Sequence, residues 1–147
     1  NTVNNMANIR FKKKDIEANR GEAVQVVIIN KDGEVCLVSR KDDHSDFGLI
    51  GGKVDAGETP EQGAIRECME ETGIKITNLR LIFAMHRKNR MGYTYLADYT
   101  GDINYDKEKE PHVVKWTKMV EATKGSFAYW NKMVTESMES AGINFKK

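Results

Sequence analysis

Cysteine is scarce in this chain of 147 residues: Cys36 and Cys68 are its only two, and both lie inside apolar patterns. That usage excludes a disulfide framework and reads as buried, reduced thiols, as in a cytoplasmic protein. No apolar run approaches the length that spans a bilayer, and no signal-peptide pattern is visible, so no membrane partner is expected. Neither sign of charge is in excess: the formal net charge is +1, which supplies no global field for nucleic acid, and nucleic acid is not expected as a partner. His44, His86 and His112 are scattered without metal-ligand spacing and read as surface or structural residues.

What remains, 39% hydrophobic and 31% charged residues without repeats or linkers, fits one domain large enough to bury a core. Asn1 to Asn5 precede Met6 and are polar without pattern, so residues 1–8 read as a disordered or tag-derived start and residues 9–147 as the single domain. Arg10 to Lys14, RFKKK, reads as a solvated terminal segment or as a contact for a phosphate or an RNA end.

Glu22 to Asn30 has the continuous apolar run of a strand buried on both faces, NKDG at Asn30 to Gly33 is turn chemistry, and Val35 to Arg40 is a second strand. Together these read as a hairpin. A polar loop, Lys41 to Asp46, runs into Phe47-Gly-Leu-Ile-Gly-Gly. Lys75 to His86 reads as one or two strands broken near Asn78, Arg87 to Gly92 as a turn, Tyr93 to Tyr99 and Val113 to Lys118 as strands, and Gly101 to Pro111 as a charged loop. Ser126 to Ala141 carries Phe127, Trp130, Val134, Met138 and Ala141 at helical spacing before Gly142, so a closing helix is expected. Mixed strands with one helix in the middle and one at the end make an α+β domain.

The informative stretch is Gly52 to Ile74, GKVDAGETPEQGAIRECMEETGI, which reads as a loop, a short acidic helix and a second loop. Thr59 and Gln62 form a capping box, Pro60 suits the first helical position and Gly73 the stop. On a helical wheel Arg66, Glu67, Glu70 and Glu71 share one side and Ile65, Cys68 and Met69 the other, with Gly63 where another backbone can approach. Two carboxylates about 5 Å apart at an effective dielectric of about 20 repel by roughly 3 kcal/mol, and within the helix only Arg66 offsets that. A solvated acidic face is the plain alternative. A divalent cation with oxygen ligands relieves the repulsion better.

These residues resemble the Nudix box: Gly, five residues, Glu, seven residues, then Arg-Glu-aliphatic-x-Glu-Glu-x-Gly-aliphatic. The matching positions are Gly52, Glu58, Arg66, Glu67, Glu70, Glu71, Gly73 and Ile74, and Cys68 stands at the first aliphatic position. The family's usual approach, Trp-x-x-Pro-Gly-Gly, is altered here to Phe47 and Ile50 before Gly51 and Gly52. The resemblance implies the Nudix fold, a mixed sheet sandwiched between helices, and a Mg²⁺-dependent pyrophosphohydrolase, with Mn²⁺ as an alternative ion. It implies Glu67, Glu71 and Glu70 as metal ligands, joined by the Gly51 carbonyl. Arg66 ion-pairs with the acidic cluster, and Glu58 supports the loop from its other end. The general base is a box glutamate such as Glu70 or Glu67, or one from the later loop, Glu110 or Glu108. Arg40, Phe47, Gly52 and Tyr93 are the candidates for substrate contact, Phe47 and Tyr93 for stacking on a base, with core packing as the alternative for both. Arg87, Lys88 and Arg90 reach a substrate phosphate or decorate a solvated hairpin end.

The implied substrate is a small nucleotide with a diphosphate linkage: a (d)NTP or a dinucleoside polyphosphate, with ADP-ribose or a nucleotide sugar as alternatives. A nucleotide-binding regulator without turnover, and hydrolysis of RNA 5′ ends, are the competing functions. Homodimers are common among similar proteins.

Overall fold

The computed structural model describes residues 21–147. The readings for residues 1–8 and for Arg10 to Lys14 lie outside the described residues. The elements in chain order are β1 (Glu22–Val27), β2 (Val35–Ser39), β3 (Phe47–Lys53), α1 (Pro60–Thr72), β4 (Lys75–Arg87), β5 (Arg90–Thr100), β6 (Val114–Thr117), a 3₁₀ turn (Met119–Thr123) and α2 (Ala128–Ser140). The strands form a six-stranded mixed sheet in the order β4-β5-β1-β3-β2-β6, with β1 parallel to β5 and the other pairs antiparallel.

β1 and β2 do not pair as a hairpin. The turn between them forms as its residues dictate, with Asn30 Oδ1 accepting from the Asp32 and Glu34 amides and Gly33 at φ 83°. Beyond one bridge, Ile29 to Val35, the strands part and β3 enters between them. Phe47 to Leu49 pair with β2, and Ile50 to Lys53 pair with β1. The stretch expected as an approach loop is therefore a central strand. Gly48, Gly51 and Gly52 hide it, because glycine lacks the side chains that mark a strand.

Each face of the sheet carries a core. Val24, Val26, Ile28, Ile50, Cys68 and Ile74 pack on the α1 side, while Val27, Leu37, Leu49, Val134 and Met138 pack on the α2 side. Both cysteines are buried free thiols, and burial pushes both above the usual thiol range, Cys68 to about 11.

α1 begins with both bonds of the Thr59–Gln62 capping box and stops at Gly73, at φ 75°. Its buried side differs from the wheel reading: Ala64, Cys68 and Thr72 are buried, while Ile65 and Met69 are 40% and 45% exposed. On a wheel of about 100° per residue, Glu71 lies about 20° from Ala64 and Met69 about 140° from it. The helix is rolled so that Glu71 lies within the buried arc and Glu67 at its border. Aliphatic surface is given to solvent, and two carboxylates turn toward β3.

The expected break near Asn78 is a bulge inside a continuous β4, with Asn78 at φ 50° and the register shifting between Thr77 and Arg80. The following turn narrows to Lys88 and Asn89, both at positive φ, the two-residue hairpin geometry that matches strand twist. Among the described residues no helix is long and apolar enough to cross a membrane.

Candidate active site

Gly51 and Gly52, at the end of β3, lie against the inward side of α1. Glu71 Oε1 accepts from the Gly51 amide at 2.9 Å. A Cβ on Gly52 would come within 2.5 Å of the Glu67 carboxylate, so glycine is what lets that side chain lie over the strand. Burial raises the Glu71 carboxyl to about 8, against the Gly51 N–H that lowers it, and repulsion from Glu67 and Glu110 adds to the rise. Glu67 is also raised, chiefly by burial, with Arg66 opposing.

Arg66 organises the remaining acids. Its Nη2 lies 2.7 Å from Glu58 Oε1 and donates to the Lys53 carbonyl at 3.0 Å. Its Nη1 lies 3.0 Å from Glu67 and 3.3 Å from Glu70, and its Nε is 3.3 Å from Asp55. These contacts hold the guanidinium above its usual range, the Glu58 bond first among them, and the same bond draws Glu58 below the carboxylate range. Glu58 Oε1 also accepts from the Asp55 amide at 2.7 Å, which closes the loop before α1. Arg66→Gln leaves four acids around an uncharged side chain. The expected loss is about 1–3 kcal/mol at neutral pH in urea denaturation, between exposed and buried pairs, and it should shrink only in strong acid, as pH falls through the depressed range of Glu58.

The charged loop brings Glu110 to the same place. Its carboxylate is 3.1 Å from Lys41 Nζ and 3.6 Å from His112 Nδ1, and it repels both Glu67 and Glu71. Glu108 stays exposed farther along the loop. His112 is the residue that spacing did not reveal. It is 4% exposed, its ring stacks on Tyr105 with centroids 5.0 Å apart, and its Nε2 donates to the Glu71 backbone carbonyl at 2.8 Å. That contact spans 41 positions of sequence, so no local pattern announces it.

Arg40, paired with Asp42 at 3.0 Å, lines a cleft of about 410 Å³ together with Lys41, Gly51, Glu71, His112 and Phe127. Phe47 stands apart from that cleft. It is 8% exposed in the α2-side core, with Lys115 Nζ 4.1 Å from its ring centroid, the packing alternative rather than an open stacking surface. Tyr93 lines a separate cavity and packs partly against the α1-side core.

The donors gathered here are hard oxygens: Glu67, Glu70 and Glu71, with Gly51 backbone beside them. Burial and mutual repulsion raise the Glu67 and Glu71 carboxyls, a state that a divalent cation relieves, so the donor chemistry fits such an ion. Among the described residues no three acidic, histidine or cysteine side chains already stand in ligating arrangement. Glu67 and Glu70 are turned to Arg66 instead.

The family model that describes the NUDIX domain matches residues 19–137. The chain belongs to the Nudix family. Enzymes of that family act on nucleotide pyrophosphates and typically use a divalent metal. The chain's similarity to the NAD-capped RNA hydrolase NudC of Photobacterium profundum is 33% identity over 111 residues, covering 70% of this chain and 41% of that protein. Against NudC of Haemophilus influenzae it is 36% over 100 residues, 62% of this chain and 37% of the relative. The chain thus spans about two fifths of the length of these curated relatives. A MutT structure from work on Aliivibrio salmonicida and Vibrio cholerae superposes with a TM-score of 0.67 at 25% identity, covering 81% of this chain and 97% of that one. The MutT Nudix hydrolase from Burkholderia pseudomallei gives 0.64 at 24% identity, covering 80% and 98%. At that identity the second likeness speaks for the fold alone. It agrees with the expected α+β Nudix architecture of a mixed sheet with helices on its two faces.

Proposed function

We propose that the chain is a Mg²⁺-dependent pyrophosphohydrolase whose substrates are (d)NTPs or dinucleoside polyphosphates. The observation that carries this reading is the buried Glu71 carboxyl, bonded to Gly51 at 2.9 Å and repelled by Glu67 and Glu110. Glu67, Glu71 and Glu70, with the Gly51 carbonyl, are the residues that hold the ion. Mg²⁺, or Mn²⁺ in its place, supplies charge neutralisation of phosphate oxygens and a lowered pKa for water. Arg66 keeps the acids gathered before the ion arrives.

The reaction adds water to one phosphorus and breaks its anhydride P–O bond, and the departing phosphate keeps the electron pair. Glu110 takes the proton of the attacking water in this reading, with Glu70 as the second candidate. Glu110 faces the cluster yet carries its own cation, Lys41, at 3.1 Å. Arg40 and Lys41 line the cleft beside Gly51 and Glu71 and draw the polyphosphate into it. The absence of a net field and of a membrane-spanning helix among the described residues suits a small-molecule substrate in the cytoplasm.

The test is incubation with Mg²⁺ and a panel of nucleoside triphosphates, dinucleoside polyphosphates, ADP-ribose and nucleotide sugars, with products resolved by chromatography. Turnover that stops on chelation and is greatest on the first two classes is the expected result. Tight nucleotide binding with no turnover on any compound would replace the hydrolase with a regulator.

A further inference from the structure

A second cavity, of about 400 Å³, opens between β1, β5, the β4–β5 turn and the start of α2. Its wall is a fixed indole. Trp130 stands edge-on to Phe83 with centroids 5.0 Å apart, and a Cβ on Gly92 would come within 2.7 Å of the Trp130 ring. Trp130 Nε1 donates to Thr94 Oγ1 at 3.3 Å, and Thr94 donates to Gln25 Oε1 at 3.2 Å. The hydroxyl and the amide oxygen are thereby used as acceptors, and the Gln25 amide nitrogen is left as a donor.

The rim carries Arg87, Lys88 and Arg90. None of the three has a carboxylate within ion-pair distance among the described residues. Arg87 lies 4.4 Å over the Tyr129 ring, and Arg90 Nε is buried with no hydrogen-bond partner. A buried guanidinium N–H without an acceptor is uncommon in a folded protein. Arg87, Lys88, Arg90 and the Gln25 amide nitrogen thus give this cavity an excess of donors and cations beside an aromatic wall, with the Ser126 hydroxyl and Tyr93, which is bonded to Glu22, completing the polar lining. They suit a ligand that brings negative oxygens next to a flat ring.

That anion is not the scissile pyrophosphate. Gly51 pairs with Gln25 across β3 and β1, and Gln25 pairs with Thr94 across β1 and β5. One strand spacing, about 5 Å, therefore separates Gly51 from Gln25 at the near wall of this cavity, and two spacings, about 10 Å, separate it from Thr94 on the far side. A nucleoside bridging that distance leaves its phosphate chain at Glu71 and turns its far side toward the hairpin.

We propose that the cavity under the β4–β5 turn is a second anion subsite, which binds a phosphate ester on the sugar of the substrate. The preferred substrate is then a nucleoside diphosphate derivative with an additional phosphate on its ribose or deoxyribose. This rests on the pyrophosphohydrolase reading for the position of the diphosphate. Two sources share the chemistry: a sugar-phosphorylated small nucleotide, and the first phosphodiester of an oligonucleotide 5′ end.

The experiment is calorimetric titration in EDTA of the full chain with the four nucleoside 5′-monophosphates, their 3′,5′-bisphosphates and 5′-phosphorylated dinucleotides. The same titrations are run on Arg90→Gln and on the double variant Arg87→Gln/Lys88→Gln, whose side chains are exposed and spare the fold. For at least one base the bisphosphate should bind about tenfold more tightly than the monophosphate, and each variant should erase most of that gain. An equal gain for the dinucleotide assigns the diester as the source, and a gain for the bisphosphate alone assigns the small nucleotide. Equal affinities for monophosphate and bisphosphate with every base would overturn the subsite, as would a gain that survives both variants. Because no metal or turnover enters the measurement, an inactive protein that retains the gain sinks only the hydrolase reading.

Discussion

Glu71→Gln should sharply reduce Mg²⁺-dependent turnover and, without metal, make the protein more stable than the parent at pH 8.5. The glutamine Oε1 still accepts from the Gly51 amide, so the 2.9 Å bond can persist while the charge is gone. The folded carboxyl titrates near 8 because it is buried, against about 4.3 for a free glutamate. The folded state therefore binds more protons than the unfolded chain between those values, and the parent loses stability as pH rises through that window. The full difference is on the order of 3–5 kcal/mol. The amide does not titrate, so variant and parent should diverge progressively from pH 5 to pH 8.5 in urea denaturation with EDTA. Added Mg²⁺ should stabilise the parent and leave the variant nearly unmoved. Turnover should fall by about 10²–10³, the scale for loss of one electrostatic group at a reacting centre. A variant that keeps parental turnover would remove Glu71 from the ion's ligands. Parallel stability curves would mean that the carboxylate is not strained by burial.

The same residue illustrates what sequence makes legible. The capping box, Pro60 and Gly73 are local chemistry, and α1 begins and ends where they direct. The direction in which that helix is rolled is not local. Periodicity gives Ile65, Cys68 and Met69 one side, but the roll is set by what the sheet offers. Gly51 and Gly52 leave room for carboxylates, and the sheet takes Ala64 and Cys68 with them. The glycines that admit Glu67 and Glu71 are also the residues that conceal β3. With β3 unseen, β1 and β2 look like neighbours. The family resemblance names Glu110 as a candidate base in the charged loop, but beside Glu108 and without a position. Its place beside the cluster depends on His112 reaching the Glu71 carbonyl and on Tyr105 stacking beneath that ring, contacts that no spacing rule contains.

Gly51→Ala and Gly52→Ala should fail in different ways, although the residues are adjacent and chemically identical. A Cβ at Gly51 would run into the Val24 carbonyl oxygen and come within 3.1 Å of the Gln25 Cα. Both obstacles are backbone of β1, held by the pairing of Val24 with Gly52 and Gln25 with Gly51. Relief requires the β1–β3 ladder to open, so a loss of about 3–5 kcal/mol or failure to accumulate folded protein is expected. At Gly52 the obstacle is the end of a side chain, the Glu67 carboxylate at 2.5 Å. Glu67 can rotate, at a cost of about 1 kcal/mol in an unfavourable rotamer. The Gly52→Ala protein should therefore fold with a urea midpoint near the parent's. Its displaced carboxylate should weaken Mn²⁺ binding by about tenfold or more in a calorimetric titration, and turnover should fall with it. Parental Mn²⁺ affinity in folded Gly52→Ala protein would show that Glu67 is not a ligand. A stable Gly51→Ala protein would contradict the β1–β3 register itself, and with it the position of Glu71 over the strand.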